Sequence, residues 1–316
     1  MTITTFAKGL SKYSFNTIEE ELTYAWNSIY RHWWFALRCS RDYWWVCQEK
    51  GKTLDPELKR VYKAFGPVHG RTFSDWWRYS ARENFKEEIA PPKAMLLSSR
   101  AEVNNFIFED NEWMLLRVPL NIKEPKLIED FVQILRNHPN RKNLRNPTAK
   151  FPLRKHQNIQ LDVYENAFWL WQETELSGDR QRVGISKGIS YYDLGVKYNV
   201  NLNLVINGPD DMRKQKKRNA MKVTVHRMLS KVTALVANAE IGIFPSESPL
   251  EPRERWSPSQ LKRLEKSIAN GDWQPQLMTN NEWAAELKQV HAEEQANREE
   301  VNREEVNMFA APRHRF

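Results

Sequence analysis

Cysteine is scarce: Cys39 and Cys47 are the only two in 316 residues. Two thiols cannot staple a chain of this length, which excludes a disulfide scaffold and makes a reducing cytoplasm the expected compartment. Glycine is thin as well, 11 residues with no Gly-rich run. That excludes collagen-like and low-complexity fibres and leaves no loop suited to cradling a nucleotide's phosphates. No stretch approaches the ~18 uninterrupted apolar residues of a membrane span. The N-terminal MTITTFAKGLSKYSF lacks the long apolar core of a secretion signal, and no membrane partner is expected. P-loop, G-x-S-x-G and H-E-x-x-H patterns are all missing, so neither an enzyme nor a cofactor is expected.

What is present is apolar mass and positive charge. Hydrophobic residues make up 41% of the chain and aromatics 12%, enough to build a core and to exclude wholesale disorder. At ~150 residues per domain the length suits two domains. Lys and Arg number 48 against 40 Asp and Glu, a net charge of +8. Such a balance suits a polyanion.

The fold class expected is mainly α. A helical, bundle-like N-terminal domain carries a small β-hairpin insertion, and a helix-turn-helix-like domain follows. The expected boundaries are 1–90 (Trp-rich, helical), 91–140 (hairpin plus helix), 141–160 (basic linker), 161–245 (helix-turn-helix-like) and 246–316 (Pro-rich segment, short helix, acidic tail). Thr17 with Glu20 reads as a capping box opening a helix, with Leu22, Trp26, Ile29, Tyr30, Trp33 and Leu37 at helical spacing. Ser40 caps a second helix, ended by Gly51, and Asp55-Pro56 opens a third that Gly66-Pro67 stops. Ser74 is expected to cap a fourth, from Asp75 to about Ile89. Seven of the 13 Trp lie in this quarter, six as doublets at 33–34, 44–45 and 76–77. Neighbours on a helix point ~100° apart. The doublets therefore either wrap a core between helices or leave an aromatic surface for a partner, a second copy or unstacked bases.

Beyond this quarter, Phe106–Phe108 and Trp113–Val118 are β-prone runs around a turn, suiting a hairpin. Pro125 starts a helix with Leu127, Ile128, Phe131, Ile134 and Leu135 inward. The stretch 141–158 holds six cations and no acid: Arg141, Lys142, Arg145, Lys150, Arg154 and Lys155. It reads as an exposed linker able to lie along phosphates. The tail from Glu286 to Glu305 carries seven Glu against three cations, with the unit Asn-Arg-Glu-Glu-Val twice, at 297–301 and 302–306. A solvated or frayed helix is expected there.

The functional argument centres on 190–231. Ser190 caps a helix in which Leu194 supplies an apolar anchor and Gly195 a small residue for a close helix crossing. Asn199 supplies a turn residue tolerant of positive φ, and Val200 seals the turn. The expected second helix is Val223–Ala239, after a polar connector containing Asn207-Gly208-Pro209, so the motif is split by an insertion. Thr224, His226, Arg227 and Lys231 form its candidate reading face. Arg213, Lys214, Lys216, Lys217, Arg218 and Lys222 cluster just ahead as phosphate ligands. Between Arg141 and Lys231 there are 18 cations and 8 acids, and the rest of the chain is slightly acidic. DNA is the expected partner, with RNA as an alternative.

Two other patterns suggest chemistry. Asp55, Glu57 and Lys59 form a D-x-E-x-K arrangement, but at a helix start rather than on the strands that would converge such groups on Mg²⁺. His32, Cys39, Cys47 and His69 have spacings matching no compact zinc site.

Four segments, YRHWWFALRCSRDYWWVCQEKG (30–51), MLLRVPLNI (114–122), FPLRKHQNIQ (151–160) and VTVHRMLSKVTALVANAEIGIFP (223–245), resemble uncharacterised proteins of bacterial phages and mobile elements. Some of those carry a DNA-binding or regulatory label. The resemblance covers about residues 25–245. It implies a mobile-element DNA-binding regulator and brings no catalytic residues with it.

Overall fold

The computed structural model of the chain describes residues 15, 17–86, 116, 118–119, 121–137, 149–153, 161–176, 190–206, 212–275 and 277–310, with Arg213, 301–302 and 304–310 described by backbone alone. It is mainly helical, and no β-strand occurs among the described residues. The chain divides into two compact units, Met1–Glu87 with Ala149–Phe316, and Glu88–Thr148.

In the larger unit the N-terminal run forms α1 (Ile18–Trp26), α2 (Ile29–Cys39), α3 (Arg41–Gln48) and α4 (Pro56–Phe65). Each begins on an oxygen that accepts from a free backbone N–H of the first turn. Thr17 Oγ1 accepts from Glu20 N, Ser28 Oγ from Tyr30 N, Ser40 Oγ from Tyr43 N, and Asp55 Oδ1 from Glu57 N and Leu58 N. The single helix expected through Trp26 and Leu37 is thus two, because Ser28 turns the chain and restarts it. Gly66, at φ +62°, ends α4 in a conformation open to glycine. The fourth helix starts earlier than expected. Thr72 is its cap, accepting from Asp75 N at 3.3 Å. Ser74 lies inside it, with its own N–H donated to Glu286 Oε1 at 2.7 Å. α5 (Phe73–Trp76) passes through a π-turn (Trp77–Ala81) into α6 (Arg82–Phe85).

The Trp doublets are in the interior, so the reading of them as an exposed aromatic surface is corrected. Trp33, Trp34, Trp76 and Trp77 are fully buried, and Trp44 and Trp45 nearly so. The physical reason is that α2 is covered on every side: all eleven of its residues are buried, as a central helix requires. Trp33 packs on Phe65, Phe85 and Phe244, while Trp34 packs on Phe73 and Trp76.

The helices that follow are α8 (Leu161–Leu176), α9 (Tyr191–Lys197), α10 (Met212–Ala239), α11 (Pro258–Ala269) and α12 (Asn280–Ala310), with α7 (Glu124–Asn137) in the smaller unit. Segments 1–90 and 161–245, set apart in the sequence as two domains, share one core. Phe35 meets Phe168 and Trp33 meets Phe244. Arg31 on α2 pairs with Glu165 on α8 at 2.7 Å. A buried polar knot also joins them. Ser40 Oγ donates to Glu240 Oε1 at 2.5 Å, and Arg255 bridges Glu240 and Asp42. The tail is the solvated helix expected from about His291 to Glu300, but the start of α12 docks on the core. Trp283 stacks on Trp26 at 4.7 Å, and Val290 is buried about two turns on.

In the smaller unit, α7 forms where Pro125 predicts a helix, but its apolar face is not inward. Ile128, Phe131 and Ile134 are exposed, and with Leu116, Val118 and Pro119 they line an open groove. The unit supplies no second described layer to cover that face. The expected hairpin at 106–118 lies outside the described residues except Leu116 and Val118, neither of which is in a strand.

Candidate nucleic-acid interface

The site is built by α9 and α10. Ser190 Oγ accepts from Asp193 N at 3.2 Å and starts α9. At the other end Asn199 takes φ +49°. There Asn199 N donates to Val196 O, and Val200 N to Gly195 O at 2.9 Å. This pair of bonds satisfies the last free carbonyls and reverses the chain. Leu194 is buried. Gly195 lies where α9 crosses α10. A Cβ built there would sit 2.5 Å from Met221 Sδ and 3.0 Å from Val225 Cγ2, so only glycine permits this approach. Tyr192 Oη accepts from Ile206 N at 2.9 Å and holds the connecting segment, with its 3₁₀ turn at Leu202–Leu204, back onto α9.

The second helix does not begin at Val223. α10 runs from Met212 for 28 residues, about 42 Å at 1.5 Å per residue. The cations placed ahead of it as a loop are therefore part of it, and the expected helix N-terminus beside them is absent. The connector fails as a loop because Met221, Val225, Leu229, Val232, Val236 and Ala239 are buried along one continuous face. That stripe fixes the helix and leaves the opposite face outward.

α10 carries eight Lys or Arg and no acid. Lys216, Lys217, Lys222, His226 and Arg227 are exposed, and none of them has a carboxylate partner among the described residues. Arg218 is half-buried, its guanidinium 5.4 Å from the Tyr192 ring centroid. Lys214 is half-buried as well, and for Arg213 only the backbone is described. Lys231 is exposed and pairs with Glu247 at 3.0 Å. Thr224 is half-buried, with its hydroxyl donated to Ala220 O at 2.9 Å. Of the linker cations, Lys150 is exposed, and Arg141, Lys142, Arg145, Arg154 and Lys155 lie outside the described residues.

The remaining candidates have structural partners. Asp55 caps α4 and pairs with Arg253 at 3.3 Å, while Glu57 pairs with Arg60 at 2.7 Å. This places the D-x-E-x-K residues in a helix cap and a surface ion pair. His32 Nδ1 lies 3.2 Å from Ser28 O, and His69 Nε2 lies 3.0 Å from Arg38 O. A carbonyl only accepts, so each of these nitrogens carries a proton. Burial, with the Arg31 cation beside it, pushes the His32 imidazole down to about 3, and burial takes His69 to about 4. Both rings are neutral in the folded protein. Among the described residues no group of His, Cys, Asp or Glu is gathered to hold a metal, and no helix is long and apolar enough to cross a membrane.

Comparison with protein-family models, curated proteins and solved structures finds no match to the chain. The interface therefore rests on its own geometry. Asn219 and Val223 are both exposed on the outward face of α10; the sequence reading misses Asn219 by leaving 201–222 as a connector, and Val223 by making it the first residue of the helix. The signal that finds them is the helical spacing of Met221, Val225 and Leu229, which extends the helix back through the cations.

Proposed function

We propose that the protein binds duplex DNA through the outward face of α10, acting as a regulator or architectural protein in a phage or mobile element. In this reading α9, its turn and α10 form a split helix-turn-helix. α9 braces the back of α10, and the cations of α10 take phosphates on both sides of a groove. One observation carries the proposal: a helix anchored in the core along one face carries eight cations and no acid and exposes Lys216, Lys217, Lys222 and Arg227 without a carboxylate partner among the described residues.

Without a polyanion that arrangement is unfavourable. Lys216, Lys217, Lys222 and Arg227 are exposed on one helix with no carboxylate partner among the described residues, and like-charge neighbours on a helix cost about 0.2–0.5 kcal/mol a pair. The first turns also place cations at the positive end of the helix dipole. A bound phosphate backbone reverses both costs. The cations of the linker 141–158 would add further phosphate contacts.

A second reading, a protein-interaction subunit or RNA-binding component of a phage or anti-phage assembly, is favoured by the apolar face of α7. Gel shifts of the whole chain with random duplex DNA, single-stranded DNA and RNA separate the two. Duplex DNA binding strongest is the expected result. Preference for RNA, or binding to none of the three, supports the second reading.

A further inference from the structure

Resting on the duplex-DNA reading, we infer that Asn219, Val223 and Arg227 read base edges in the major groove, and that the lysines around them only take phosphates. These residues are spaced i, i+4, i+8, so they form one line on the outward face, directly opposite the buried stripe of Met221, Val225 and Leu229. The line spans about 12 Å, the length of roughly three to four stacked base pairs. At ~100° per residue, the exposed Lys216 falls on one flank of it and the exposed Lys222 on the other, while Lys231 continues the line at its far end, paired with Glu247. A central line bordered by cations on both sides matches a groove bordered by two phosphate strands.

The chemistry of the line differs from that of its flanks. Val223 is a β-branched apolar side chain, 50% exposed amid cations. Neither helix propensity nor burial accounts for it there, and a thymine methyl is its natural contact. Asn219 Oδ1 accepts from Gln215 Nε2 at 3.3 Å. This orients the amide and leaves its NH2 as a donor for adenine N7. Arg227 is exposed with no acidic partner among the described residues, and its fork matches guanine O6 and N7. Thr224, by contrast, has its hydroxyl hydrogen committed to Ala220 O. The line has no aromatic ring to stack unpaired bases, and all seven Trp of the first quarter are buried. This favours a paired duplex over a single strand.

The test is selection of bound duplexes from a random pool by the full chain at ~150 mM salt, where non-specific attraction is weak. Affinities for the selected site and its single-base changes are then measured for wild type, Asn219→Ala, Val223→Ala and Arg227→Lys. Arg227→Lys keeps the charge, so its salt dependence should match wild type while a guanine preference of roughly 5- to 150-fold disappears at one position. Asn219→Ala should lose an adenine preference. Uracil in place of the contacted thymine should weaken wild type about fourfold, the value of one buried methyl, and leave Val223→Ala unchanged. All three side chains are exposed, and matching melting temperatures confirm that the variants fold. Variants that keep every base preference overturn the inference. So does wild-type binding that is salt-dependent yet indifferent to sequence, a result that leaves the duplex-DNA reading standing. Failure to bind any duplex overturns both.

Discussion

Replacing Gly195 with alanine tests whether α9 is seated on α10 as closely as described. In an ordinary helix interior this substitution stabilises by about 0.5–1 kcal/mol, because glycine loses more backbone entropy on folding. Here the new methyl would lie 2.5 Å from Met221 Sδ, 2.6 Å from Met221 Cγ and 3.0 Å from Val225 Cγ2. Both neighbours are fully buried, so neither has open space to move into. Overpacking of this kind costs about 1–3 kcal/mol. The overlap exceeds 1 Å at two atoms, which places the cost in the upper part of that range and leaves a net loss of roughly 1–2 kcal/mol. In a chain of this size each kcal/mol lowers Tm by about 2–4 °C. Gly195→Ala should therefore melt several degrees below wild type by circular dichroism. Shortening the obstacle reverses the sign. Met221→Ala alone should destabilise by about 2–5 kcal/mol, and in that background Gly195→Ala should become neutral or stabilising. A Gly195→Ala protein that melts at or above wild type with Met221 in place refutes the close crossing.

Three further outcomes follow from the core. His32 and His69 are held neutral by burial, at about 3 and about 4, while the unfolded chain protonates its imidazoles near the ordinary 6.5. Their contribution is therefore complete above that pH and is lost as pH falls from about 6.5 toward 4, by up to ~1.4 kcal/mol per pH unit for each ring. Urea unfolding at neutral and mildly acidic pH should show this slope, and His69→Gln should flatten it. Burial also pushes the Cys39 thiol far up and Cys47 to about 12. Neither should react with a thiol reagent at about pH 8 until denaturant is added, since only the thiolate attacks. Trp283→Ala removes the ring stacked on Trp26. It should cost about 3–5 kcal/mol and raise hydrogen exchange in the first turns of α12.

The helical class and most helix starts were legible in the sequence, because capping is local chemistry. Thr17, Ser40, Asp55 and Ser190 all cap as their spacing indicates. The Gly195–Asn199–Val200 turn was legible for the same reason. What was not legible depended on partners far along the chain. The Trp doublets could be assigned to the interior only once α2 was known to be covered on all sides. The docking of α12 rests on Trp26 and Ser74, more than 200 residues away. Besides the Ser28 restart and the Thr72 cap, the local misreading was the cationic run 213–222. Its charge argued for a loop, but the burial of Met221 and Val225 made it helix and turned Asn219 and Val223 outward beside Arg227.

The central claim is that the exposed lysines of α10 hold a phosphate backbone, and the salt dependence of duplex binding tests it most directly. Fluorescence anisotropy of wild type and of Lys216→Gln/Lys217→Gln/Lys222→Gln, over a range of salt, gives log K against log salt for each. Each phosphate contact contributes a slope of about −0.9. Wild type should therefore fall steeply with salt, and the triple variant should be shallower by roughly 2–3 units of slope. A wild-type affinity insensitive to salt, or a triple variant whose line is parallel to wild type, contradicts the account.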